Sequence, residues 1–115
     1  MYMREDGIAV VDTIDKIIFS EKEVAEIIET LGILTDGKKV PVLSLFKPEN
    51  TADKQARNYM VSEMASLYSL ADGMVIHNLP QKIIANFYLK MNKPSKPTRF
   101  FSDEEEALKW LKTFL

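Results

Sequence analysis

Apolar and polar positions along the chain switch between two periods, and each switch marks an element. Gly7 to Val11 (GIAVV) follows the charged Arg4-Glu5-Asp6 and predicts a first strand. Asp12-Thr13-Ile14-Asp15 offers a turn and Ile14 to Phe19 predicts a second strand, so a hairpin is expected. From Ser20 the period lengthens. Val24, Ile27, Ile28 and Leu31 recur at helical spacing, with Glu26 and Glu29 on the opposite side. Ser20-Glu21-Lys22-Glu23 reads as a capping box, in which the Ser and Glu side chains satisfy each other's free amides. Gly32 is the expected stop, and Asp36-Gly37-Lys38-Lys39 a solvated turn.

Val40 to Phe46 (VPVLSLF) is apolar on both faces, the pattern of an interior parallel strand, with Pro41 expected near its start. Lys47-Pro48-Glu49-Asn50 is a loop. Asn50 or Thr51 is then expected to cap a helix running from Ala52 to about Leu70, its stripe being Ala52, Ala56, Tyr59, Met60, Met64 and Leu67. Asp72-Gly73 leads to a strand Met74–His77. Asn78 caps a helix with Pro80 in its first turn and Ile83, Ile84, Phe87, Tyr88 and Met91 on the expected buried face. Residues 92–97 hold two prolines and form a loop before a short strand Thr98–Phe101. Ser102 is the expected cap of the last helix, whose first turn carries Asp103 to Glu106, where the helix dipole favours acids.

The resulting order, β-β-α-β-α-β-α-β-α, predicts one α/β domain over residues 1–115, with a mixed sheet and helices packed against it. Composition agrees: 46% of residues are apolar, enough for a core in a chain of this length. Net charge is −2, which argues against general nucleic-acid affinity. The chain has no cysteine, so disulfides, thiolate nucleophiles and Cys-type zinc sites are excluded. The opening MYMREDG has no apolar core of a signal peptide, and no run approaches the roughly 18 apolar residues of a membrane span. A cytoplasmic location is the expectation.

Four stretches together, VPVLSLF, ADKQARNYM, ADGMVIHNLPQKIIANFYLKMNKPSKPTRFF and FSDEEEALKWL, resemble the SpoIIAA-like, or STAS-like, superfamily of small α/β domains, nearest its bacterial STAS/SEC14-like branch. The resemblance covers nearly the whole chain. It implies a role in protein interaction rather than catalysis, as in anti-sigma-factor antagonists, and the chain is expected to form a homodimer. In that group a Ser or Thr at the start of the helix after the equivalent strand is phosphorylated, typically in an Asp-Ser-x-Gly-like turn. The matching place holds Asn50-Thr51-Ala52-Asp53, which makes Thr51 the candidate phosphoacceptor, with Asn for the Asp and no glycine. Its plain alternative is a helix cap. Asn50, Thr51, Asp53 and Arg57 would form the interaction loop.

Other candidates have equally plain alternatives. From Met74 to Ser102 there is no acid, while Lys82, Lys90, Lys93, Lys96 and Arg99 supply five cations: an anion patch, or ordinary solvated lysines. Met60, Met64, His77, Phe87 and Tyr88 would line a pocket for an apolar or lipid-like ligand between helices and sheet, or pack as core. His77 is the sole histidine and has no nucleophile motif beside it, so no catalytic role is assigned. Asp103 to Glu106 point around their helix and do not converge on an ion, and no metal or cofactor motif occurs.

Overall fold

The computed structural model describes residues 1–14 and 16–115 and shows a five-stranded mixed sheet wrapped by four helices. Strand β1 (Tyr2–Met3) runs antiparallel to β2 (Ala9–Asp12). The sheet then continues in parallel through β4 (Val40–Leu45) and β6 (Ser69–Val75) to β7 (Thr98–Phe101), giving the order β1-β2-β4-β6-β7. A separate parallel ladder joins β3 (Ile18–Phe19) to β5 (Thr51–Ala52). The helices are α1 (Glu21–Leu34), α2 (Lys54–Met60), α3 (Leu79–Phe87) and α4 (Glu104–Leu111).

Because successive side chains of a strand point to opposite faces, the sheet carries two apolar surfaces. Val10, Leu43, Ala71 and Val75 face Ala107 and Leu111 of α4. Ala9, Val11 and Val42 face Leu31 of α1. Phe19, Val24, Ile28, Ala56 and Ala65 fill the space among β3, α1, α2 and the 3-10 turn Met64–Ser66. Leu43 and Leu111 are wholly buried, so truncating either to Ala costs about 2–5 kcal/mol.

The strand Val40–Leu45 lies inside the sheet as its pattern predicts, and the capping box forms: the Ser20 amide donates to Glu23 Oε2 at 3.2 Å and the Ser20 hydroxyl meets the same carboxylate. Pro41 is fully buried near the start of β4, beside a register shift at Val40/Pro41 that absorbs its missing donor.

Several boundaries differ from expectation. The hairpin between residues 7–11 and 14–19 does not form, because β2 is flanked by β1 and β4; Ile18–Phe19 pairs with Thr51–Ala52 instead. Asp15, within the turn expected there, lies outside the described residues. The order is therefore β-β-β-α-β-β-α-β-α-β-α, with β1 and β5 added. The long helix expected from Ala52 to Leu70 is α2 alone, followed by the 3-10 turn, and Leu70 belongs to β6. The α2 N-cap is Asp53, which accepts the Ala56 amide at 2.8 Å; neither Asn50 nor Thr51 caps it.

Asp72-Gly73 is not a turn but the middle of β6. A Cβ on Gly73 would stand 3.0 Å from Leu111 Cδ1, so glycine lets α4 approach the sheet. Gly32 lies inside α1, not at its end: a Cβ there would come within 2.6 Å of Tyr68 Cε2. The α4 cap is Asp103, one residue beyond Ser102; it accepts the Glu105 amide at 3.2 Å.

Candidate functional site

Helix α3 is set in place by its first turn. Asn78 Oδ1 accepts the Gln81 amide at 3.0 Å, and Pro80 sits where its missing N–H costs nothing. Gln81 is buried and fully used: its Nε2 donates to the Lys47 and Asn50 carbonyls at 2.7 and 3.0 Å, and its Oε1 accepts the His77 amide at 2.8 Å. Asn78 Nδ2 reaches the Pro48 carbonyl at 2.7 Å, and a His77 ring nitrogen meets the Phe46 carbonyl at 2.5 Å. The loop these bonds grip is itself pinned by Asn50, which accepts the Lys47 amide and the Thr13 hydroxyl and donates to the Ile14 carbonyl.

This anchorage turns Gln81, Ala85 and Tyr88 inward. Of the face expected to be buried, Tyr88 is buried and Ile84 half-buried, whereas Ile83, Phe87 and Met91 lie outside. Leu79, Ile83, Phe87 and Met91 stand at four-residue steps and are 67%, 60%, 51% and 61% exposed. The helix passes into a π turn, Tyr88–Asn92, and ends at Lys93 in the left-handed region. Such a row of exposed apolar side chains on a folded domain is a candidate interaction surface.

Beside this row lies a groove of ≈560 Å³ between α3 and β7. Leu79, Lys82, Asn86 and Leu89 wall it from the helix, and Thr98 to Phe101 from the strand; Lys82 and Arg99 line it and no carboxylate does. Strand β7 is the edge of the sheet. Its Pro97 and Phe101 carbonyls accept from Asp72 and Ile76 at 2.9 Å, so the alternate residues Thr98 and Phe100 turn their backbone groups away from β6.

A chamber lies under the helices. One lobe, ≈60 Å³, is walled by α2, α3 and the sheet; the other, ≈100 Å³, by α1 and the sheet. Phe19, Phe46, Ala52, Met60 and Met74 line both. Tyr88 lines the first lobe, is 2% exposed, and its hydroxyl has no hydrogen-bond partner. Burial, with Asp72 adding, pushes that phenol well above its usual range, so it stays protonated.

The residues singled out from sequence divide between these places. Met60 and Tyr88 line the chamber together with Asn50, Thr51 and Arg57. Met64 and Phe87 do not: both are about half exposed, and Phe87 lies under the Arg57 guanidinium at 5.7 Å. His77 lines the groove beside β7 instead. Thr51 is half-buried in β5, its amide donating to the Ile17 carbonyl. Arg57 also donates to the Ala52 carbonyl, at 2.5 Å.

The five cations do not form one patch. Lys82, Lys90 and Lys93 are exposed on and after α3. Lys96 is withdrawn into an ion pair with Asp72 at 2.9 Å. Arg99 lies over the rings of Phe101 and Trp110, on the α4 side of the sheet. Among the described residues no three His, Asp or Glu side chains are grouped as a metal site would need, and no helix is long and apolar enough to cross a membrane. The groove at β7 was not expected from the sequence; its one signal is the acid-free stretch Met74–Ser102 that supplies both its walls.

Compared with known proteins, the chain matches over residues 1–115 the family described as a domain of unknown function, DUF7793. No curated protein and no solved structure matches it.

Proposed function

The chain belongs to the DUF7793 family, and for this member we propose a non-enzymatic protein-interaction module that takes an acidic, extended segment of a partner along β7 and α3. The observation that carries the reading is the exposed row Leu79, Ile83, Phe87 and Met91 beside an open sheet edge. An added strand would pair with the outward backbone of Thr98 and Phe100, the mode by which many domains capture extended peptides. Alternate side chains of that strand would meet Leu89 and Leu79, and its carboxylates Lys82 and Arg99. Charge favours this occupant over a second copy: apposing two α3 faces would bring Lys82 and Lys90 against their own counterparts.

The architecture supports the same reading. A mixed sheet with helices packed against it is what the SpoIIAA/STAS-like resemblance implies, and interaction is that group's role. Regulation through Thr51 has no part in it. The α2 amides are already capped by Asp53, and a phosphate two residues earlier would add charge beside that carboxylate.

Affinity capture from the native cell, with the wild type and an Ile83→Asp/Lys82→Glu variant in parallel, tests the proposal. A partner retained by the wild type and lost from the variant, with acidic residues in its cross-linked segment, is the expected result. Equal retention by both, or self-association of the wild type abolished by the variant, overturns it.

A further inference from the structure

We infer that the chamber beneath α1, α2 and α3 is a binding site for a small, neutral, largely apolar molecule carrying one hydrogen-bonding oxygen, about the size of a phenol. The first observation is adjacency. Phe19, Phe46, Ala52, Met60 and Met74 belong to the walls of both lobes, so the lobes lie side by side, and a shift of the flexible Met60 or Met74 side chain would join them. Together they are comparable to the roughly 150 Å³ cavity that admits benzene in another protein. That volume suits a single ring and is far too small for the acyl chains of a membrane lipid, which narrows the lipid-like ligand expected from sequence.

The second observation is independent of volume. Apart from the hydroxyls of Thr51 and Ser44, which are not fully buried, the polar groups in the walls are engaged. Asn50 and Gln81 make the bonds described above, Arg57 holds the Ala52 carbonyl, and Asp72 is shared between Lys96 and the Ser69 hydroxyl. Tyr88 is the exception. Its hydroxyl is buried and unpartnered, a condition folded proteins rarely tolerate without a reason.

A ligand oxygen answers that hydroxyl with one bond, while the rest of the ligand lies against Phe19, Phe46, Met60 and Met74. Rings and thioethers are good neighbours for an aromatic guest. The ligand is neutral because of its surroundings. The lobe beside that hydroxyl is lined almost wholly by apolar side chains, so a charged ligand would give up its hydration with little in return.

The test uses the full chain with phenol and toluene as probes, followed through the methionine methyl resonances of Met60 and Met74. Both probes should shift those methyls saturably, with phenol binding about 2- to 12-fold more tightly, the span of one net hydrogen bond. The Tyr88→Phe variant removes no existing hydrogen bond, so it should fold, bind toluene as before and lose the preference for phenol. Absence of a saturable shift with either probe overturns the site. An undiminished phenol preference in Tyr88→Phe overturns the role of the hydroxyl, and with it the inferred ligand class.

Discussion

Lys96 Nζ lies 2.9 Å from Asp72 Oδ2, with the two side chains only 10% and 16% exposed, and the same ammonium donates to the Ala65 carbonyl at 2.8 Å. The contact joins the middle of β6 to the loop before β7 and to the 3-10 turn. Lys96→Met strands the Asp72 carboxylate in a desolvated wall and is expected to cost about 3 kcal/mol. Asp72→Asn combined with Lys96→Met should recover much of that loss. Urea unfolding of the two single variants and the double variant measures the coupling.

Gly32→Ala should destabilise the protein although alanine is the better helix former by up to about 1 kcal/mol. The Tyr68 ring occupies the space a Cβ would need, and Tyr68 packs with both the α1 and α2 clusters. Displacing it is expected to cost about 1–3 kcal/mol, outweighing the propensity gain. In a Tyr68→Leu background the same substitution should turn neutral or stabilising, and a double-mutant cycle in thermal unfolding reads the change of sign.

The Glu23 carboxylate is held below its usual range, first by the Ser20 hydroxyl and then by backbone amides. A lowered acid in the folded state contributes stability above its unfolded pKa and loses it as pH falls through the folded value. Glu23→Ala should therefore weaken α1 at neutral pH, and the difference from wild type should shrink through the acidic carboxylate range and vanish below it. Asp6, lowered by Arg4, adds to the same acid-side loss. Amide exchange at the start of α1, followed against pH, checks the direction.

The two faces of α3 should respond oppositely to charge. Ile83→Lys replaces an exposed side chain and is expected to change stability by no more than about 0.5 kcal/mol while improving solubility, whereas Phe87→Ser also gives up the contact with Arg57 and should cost about 1 kcal/mol. Ala85→Asp places an unpaired acid at a position 4% exposed and should abolish folding. Circular dichroism melts of the three variants distinguish this orientation of α3 from one that buries Ile83.

Much of the architecture is legible in the sequence because it rests on local signals. The Ser20–Glu23 box, the apolar run of β4 and Asn78-Leu79-Pro80 each specify their element from a few neighbouring residues. The misreadings arise where tertiary contacts override local chemistry. Asp72-Gly73 looks like a turn, yet Lys96 and Leu111, both distant in the chain, make each residue fit a central strand. Gly32 looks like a stop, but Tyr68 uses its missing side chain. On α3 the bulky residues outnumber those that pack inward. Small Ala85 and polar Gln81 face the core because the 46–50 loop supplies Gln81 with partners no helical period could reveal. Of the candidate site, Met60 and Tyr88 were recognisable as apolar lining, whereas the groove at β7 depends on which strand ends the sheet, a property of topology.

The parallel ladder has a consequence for how the molecule assembles. Ala9 pairs with Val42, Val42 with Asp72 and Asp72 with Thr98, so each rung joins residues separated by a helix and its loops. Apart from the brief β1–β2 pairing, no rung of the main sheet is available to a chain that has folded only locally. The entropy of closing those long segments precedes the reward of pairing them, which places the folding rate with the slower, topology-limited α/β domains rather than with helical bundles. Until β7 docks, β6 is itself an unpaired edge, and the interval before that last rung closes is when the chain is most exposed to pairing with another copy of itself.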